Sequence, residues 1–128
     1  VLSSRVLLRA ADPARSQAFY RDVLGLAVYR EFGPPEHPGV VFFLGNGLLE
    51  VSGPGEEPPR GMALWVQVRD VAAEVERLRT AGVPVLRGPQ VEPWGLVESW
   101  LADPDGVRIV LVEVPADHPL RRDRRPPG

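Results

Sequence analysis

The side chains able to do chemistry in this chain are few and of three kinds. Two carboxylates sit inside otherwise apolar stretches, Glu50 in GLLEVSG and Glu98 in LVESWLAD. A carboxylate buried in an apolar cavity has its pKa raised and can serve as a general base. Arginines accompany them, Arg5 and Arg9 in RVLLR and Arg108 in GVRIVLVEV. A guanidinium only donates hydrogen bonds, so it can hold an anion or stabilise an oxyanion. The third kind is aromatic. Trp65, Trp94 and Trp100 offer rigid planar surfaces for stacking, or for gripping a cation through the ring quadrupole. Other reagents are missing. There is no cysteine, hence no disulfide, thiolate metal site or thiol nucleophile. Every one of the 15 basic residues is arginine, which removes Schiff-base chemistry through lysine. The two histidines, His37 and His118, fall in a proline-rich loop and in the tail, where a histidine is ordinarily just solvated.

The elements that must position these groups repeat. RVLLRAADPARSQAFYRDVLGLAVYRE (Arg5 to Glu31) and ALWVQVRDVAAEVERLRTAGVPVLRG (Ala63 to Gly88) share one plan: short strand, aspartate, amphipathic helix, glycine, strand. Asp12 and Asp70 occupy N-cap positions, and Pro13 suits a first helical turn. The spacing predicts one helix over Pro13 to Leu24, burying Ala18, Phe19 and Val23. It predicts a second over Val71 to Ala81, burying Val71, Val75 and Leu78. Gly25 and Gly82 end them. VVFFLGNGLLEVSG and ESWLADPDGVRIVLVE then repeat a strand, turn and strand. Each half therefore reads β-α-β-β-β, with the halves offset by about 60 residues, too few copies for a solenoid. The fold class is α+β: two βαβββ modules in tandem forming a curved mixed sheet around a concave cavity. Module one covers about 4–53, the connector 54–61 and module two about 62–115, together one domain over 1–115. Residues 116–128 form a flexible tail.

Strand alternation assigns faces. Val6, Leu8 and Ala10 oppose Arg5, Leu7 and Arg9. In the repeat, Leu64, Val66 and Val68 oppose Ala63, Trp65 and Gln67. The aliphatic faces should carry the helices and the mixed faces should line the concavity. On the closing strands Glu50 and the trio Arg108, Val110 and Val112 fall on the concave side, joined by Glu98 and Trp100. Trp94, in VEPWGL, lies in a loop that could close over the mouth.

Composition bounds the rest. A hydrophobic content of 44% in 128 residues suits one folded domain. A net charge of −2 and a pI of about 5.7 offer no case for nucleic acid, and RRDRRPPG reads as a solvated tail. No apolar run reaches the ~18 residues of a membrane span. The default is a cytoplasmic protein with no membrane partner.

The doubled βαβββ unit, with DPARSQAFYRDVLGL after the first strand and WG and DPDG near the end, resembles the vicinal oxygen chelate superfamily. That superfamily includes glyoxalase I, extradiol dioxygenases, fosfomycin-resistance enzymes and bleomycin-resistance-type binding proteins. The resemblance implies four strand slots for a divalent metal, two at the starts of the modules' first strands and two in their last strands. Here the slots hold Arg5, Glu50, Ala63 and Val110, and only Glu50 is a metal ligand. The resemblance also implies a homodimer with two cavities shared between chains.

Together these point to a metal-independent protein without a cofactor. It would sequester a small aromatic or planar molecule such as an antibiotic, for resistance or self-protection. Its ligand-binding residues would be Arg5, Leu7, Arg9, Glu50, Trp65, Gln67, Trp94, Glu98, Trp100, Arg108 and Val110. Metal-dependent glyoxalase or dioxygenase activity is not expected. The alternative is a metal-independent isomerase-like or lyase-like enzyme with Glu50 or Glu98 as general base. A metal site rebuilt from Glu50, Glu98 and Glu113 is opposed by parity, since Glu113 faces away from Val110.

Overall fold

The computed structural model of the chain describes residues 1–55, 57 and 60–122. Glu56, Pro58 and Pro59 of the expected connector, and residues 123–128 of the expected tail, lie outside the described residues. The first module runs β1 (Arg5–Arg9), α1 (Pro13–Ala18), a π-helical turn (Phe19–Val23), β2 (Val28–Phe32), β3 (Gly39–Leu44) and β4 (Gly47–Ser52). The second runs β5 (Ala63–Gln67), α2 (Val71–Thr80), β6 (Val85–Val91), β7 (Val97–Ala102) and β8 (Arg108–Glu113), followed by α3 (Pro119–Arg122). Each module closes its own four-stranded mixed sheet, in the orders β1-β4-β3-β2 and β5-β8-β7-β6. In each, the first strand pairs in parallel with the last, and the remaining pairs are antiparallel. Two tandem βαβββ modules are therefore present, and the class is α+β. No helix among the described residues is long and apolar enough to cross a membrane.

The helix signals act as expected at both N-termini. Asp12 accepts from the Arg15 amide at 3.2 Å, and Asp70 from the Ala73 amide at 3.0 Å. Each bond satisfies a donor that the first helical turn leaves free, worth about 1 kcal/mol. Helix α2 buries Val71, Val75 and Leu78, the face its spacing predicts. Gly25 and Gly82 both take φ 89°, the left-handed conformation that stops a helix without strain in glycine.

The first helix departs from its expectation. It is α-helical only to Ala18, then widens, with the Leu24 amide donating to the Phe19 carbonyl at 2.8 Å and the Gly25 amide to the Tyr20 carbonyl at 3.1 Å. Its buried residues are Ser16, Gln17, Phe19 and Tyr20, while Ala18 and Val23 are only half-buried. Partners explain the polar burial. The Gln17 amide donates to the carbonyls of Pro38 (2.8 Å) and Val51 (2.9 Å). The Tyr20 hydroxyl donates to Asp103 at 2.7 Å. Buried polar groups persist where such bonds replace water.

Asp103 belongs to the DPDG turn between β7 and β8. By contact density that turn, Asp103–Val107, is part of the first compact unit together with Val1–Met62. Sequence order alone had placed it in module two. Its place is fixed by side chains: Asp103 also accepts from the amides of Asp105 and Val107, both at 2.8 Å, while Asp105 accepts from the Ala11 amide at 3.0 Å and pairs with Arg15 at 2.9 Å. Burial, then the neighbouring Asp103 carboxylate, push the Tyr20 phenol well above its ordinary pKa.

Candidate functional site

In the first unit, the face of the sheet turned away from the aliphatic core carries Arg5, Leu7 and Arg9 from β1 beside Leu48, Glu50 and Ser52 from β4. Arg5 pairs with Glu50 at 3.0 Å, and the Ser52 hydroxyl donates to the other Glu50 oxygen at 3.2 Å. Leu7 is 60% exposed. A cleft of about 870 Å³ opens on the same unit, with Arg9, Gln17, Phe32, His37, Glu50 and Ser52 among its lining. His37, expected to be a solvated loop residue, thus borders a cavity that also contains Glu50.

In the second unit, Trp65, Gln67, Glu98, Trp100, Arg108 and Val110 share one sheet face. Trp65 is the register partner of Val110, Trp100 that of Val110 from the other side, and Glu98 that of Val112. Trp65 stays half exposed, at 51%. Trp100 does not offer an open ring. The guanidinium carbon of Arg87 lies 3.9 Å from its centroid and that of Arg108 lies 4.5 Å away. Such contacts contribute about 0.5–1 kcal/mol each when exposed and hold the cations in place.

Trp94 sits in the β6–β7 loop and is fixed at both ends. Its indole N–H donates to Glu98 at 2.8 Å. Its carbonyl lies 2.8 Å from His118 Nε2, while the Leu120 amide donates to His118 Nδ1 at 3.1 Å. With Nδ1 accepting, Nε2 carries the proton and donates to Trp94. A side chain at position 95 would crowd the His118 ring, since a Cβ on Gly95 would stand 3.1 Å from it. Residues 116–122 of the expected tail therefore include a histidine that holds the tryptophan loop. Glu98 is 7% exposed and occupied by Trp94, so it does not present its carboxylate to an open face.

Two residues at this face were not among the sequence candidates. Arg87 stacks on Trp100 and pairs with the buried Glu92. His118 acts through Trp94. Irregular register between Val85, Arg87 and Gln90 breaks alternation in β6, so parity could not place Arg87. Only the tryptophan opposite it could have drawn attention to that arginine.

Residues 3–111 match the Glyoxalase/Bleomycin resistance protein/Dioxygenase superfamily. The chain belongs to that superfamily. It is 32% identical over 120 residues to a lactoylglutathione lyase of Salmonella typhimurium, over 84% of this chain and 88% of that protein. A superfamily member from Sphaerobacter thermophilus has a similar structure, with a TM-score of 0.76 at 21% identity over 89% of this chain and 98% of that one. So does TnmS3, an antibiotic binding protein from Streptomyces sp. CB03234, with a TM-score of 0.74 at 22% identity over 90% and 97%. At these identities the structural matches establish a shared fold and no ligand.

The four slots expected from the resemblance can be tested on the side chains present. In the first unit, Arg5 directs a cation onto Glu50, the one carboxylate among the expected slots. In the second, Ala63 and Val110 have no donor atom, and Val110 packs against an apolar cluster of Leu96, Val112 and Val114. Glu113 faces the other way, accepting from the Val71 amide at 3.0 Å at the start of α2. Among the described residues, no group of three or more His, Cys, Asp or Glu side chains is placed to hold a metal ion. A divalent ion needs several converging oxygen or nitrogen ligands. This donor set does not fit one.

Proposed function

We propose that this protein is a metal-independent small-molecule binder that sequesters an aromatic or planar ligand, acting as a homodimer. The observation that carries the reading is Trp65, a large aromatic left half exposed in the middle of a strand, on a face where Trp94 and Trp100 are held by hydrogen bonding and by guanidinium stacking. Fixed aromatic surfaces bind planar ligands at low entropic cost. Antibiotic binding by TnmS3, which has the same fold, makes an antibiotic a reasonable class of ligand. Exposed Leu7, Tyr29 and Phe43 in the first unit suit an apolar dimer contact. The test is a panel of planar aromatic compounds read by tryptophan quenching and by melting temperature. Saturable quenching with a rise in melting temperature is expected; a panel that moves neither ends the reading.

Similarity to a lactoylglutathione lyase favours a second reading, an isomerase-like enzyme. Glu50, at the cleft of the first unit, would be its base and Arg5 its oxyanion partner. Against it, the Glu50 carboxylate is already engaged by the Arg5 guanidinium at 3.0 Å and by the Ser52 hydroxyl. Solvent deuterium exchange next to the carbonyl of a bound aryl ketone, abolished by Glu50→Gln with binding retained, would establish the enzyme. Binding without exchange supports sequestration.

A further inference from the structure

We infer that the tryptophan face of the second unit selects planar aromatic anions, with Arg108 as the group that reads the charge. This rests on the binding reading above and names its ligand class. Arg108 is exposed, and among the described residues it forms no ion pair. Its guanidinium is nevertheless held, 4.5 Å from the Trp100 ring centroid. Arg108 stands two register positions from Trp65, one step along the same sheet face: its Cα partner is Ala63, and Trp65 is paired with Val110. A ring stacked on Trp65 therefore brings a substituent within the neighbourhood of an ordered, unneutralised cation.

Among the described residues no nearby carboxylate pairs with Arg108. Glu98 is buried and accepts from Trp94, and Glu92 is buried and pairs with Arg87. The exposed ionic group of the face is thus cationic, although the chain as a whole carries −2. The two scales predict opposite outcomes. Bulk charge favours a cationic ligand weakly, whereas the local site repels a cation and gives an anion a charge-assisted hydrogen bond. A guanidinium already stacked on a ring loses less freedom on binding than a mobile one, which adds to the preference.

The experiment compares three ligands of equal ring size: naphthalene-2-sulfonate, naphthalene-2-sulfonamide and 2-naphthylmethylammonium. Binding is read by calorimetry and tryptophan quenching on the full chain, on Arg108→Gln and on Arg108→Lys. The sulfonate is expected to bind about five- to tenfold more tightly than the sulfonamide, and the ammonium least well. Arg108→Gln should bring sulfonate down to the level of the sulfonamide, closing the gap between them. Arg108→Lys should keep part of the preference, and about 0.5 M salt should shrink it in the unsubstituted protein, so the result does not depend on the folding of one variant. Equal binding of sulfonate and sulfonamide overturns the charge selection while leaving aromatic binding intact. A preference that survives in Arg108→Gln also overturns it. Failure of all three ligands to bind sinks both this inference and the reading on which it rests.

Discussion

Replacing Trp94 by phenylalanine isolates how the tryptophan loop is built. The ring is 57% exposed, so the smaller ring forfeits little burial. What it removes is the indole N–H, the donor 2.8 Å from a Glu98 carboxylate that is itself only 7% exposed. Hydrogen bonds to charged groups contribute about 1.5–3 kcal/mol, and an orphaned buried acceptor keeps most of its desolvation cost. The expected loss is therefore about 1.5–3 kcal/mol. For a domain of this size about 1 kcal/mol shifts the melting temperature by roughly 3–6 °C, so a fall of roughly 5–18 °C is expected. Removing the acceptor as well separates this cause from a general loosening. Trp94→Phe/Glu98→Leu should regain a large part of the stability, because the carboxylate that needed a donor is gone. The assay is urea unfolding of the unsubstituted protein, both single variants and the double variant, analysed as a cycle. A coupling energy near zero, with Trp94→Phe costing under about 0.5 kcal/mol, would refute the argument that this hydrogen bond seats the loop.

Two further outcomes follow from contacts away from that loop. Tyr20 has its folded-state pKa raised by burial and by Asp103, so its contribution to stability is complete below about pH 10 and is lost as pH rises further, because the unfolded phenol ionises while the folded one stays neutral. Urea unfolding between about pH 9 and 11.5 should show a decline approaching about 1.4 kcal/mol per pH unit that Tyr20→Phe lacks; parallel curves for the two proteins would contradict it. Incubation with manganese, iron, zinc or nickel should leave metal content far below one ion per chain and should not shift the melting temperature. One tightly held ion per chain would mean that ligands other than those of the four slots converge in the assembled protein.

Parts of this molecule could be read from its sequence because they depend on neighbours in the chain. Helix α2 is one, since Asp70, Val71, Val75 and Leu78 act within ten residues of each other. The shared faces of Trp65, Glu98, Trp100, Arg108 and Val110 follow from alternation along regular strands. The first helix resisted the same reasoning because its buried face is decided at a distance. Tyr20 is drawn inward by Asp103, 83 positions away, and Gln17 by two backbone carbonyls that no periodicity reveals. Arg87 was hidden by the irregular register of β6, and His118 by lying in a segment whose composition reads as solvated tail. Alternation also cannot say whether a ring on the right face is free. Trp100 and Trp65 share that face, yet two guanidiniums crowd one and leave the other half exposed.

The two modules share a backbone plan, and the differences between their slots are internally consistent. In the first, the positions expected as slots hold Arg5 and Glu50, so the carboxylate meets a counter-charge. In the second, both positions are apolar, and Val110 joins Leu96, Val112 and Val114. At these slots neither module is left with an isolated buried charge, the costly outcome when one partner of a pair is missing. Similarity to a lactoylglutathione lyase over most of the chain therefore argues for shared ancestry of the scaffold more strongly than for shared chemistry. Each module offers a sheet face on which its strands present side chains. What this chain presents there is a neutralised ion pair on one, and tryptophan and arginine on the other. The first holds its charges paired; the second exposes Trp65 on the same face as Arg108, which forms no ion pair among the described residues.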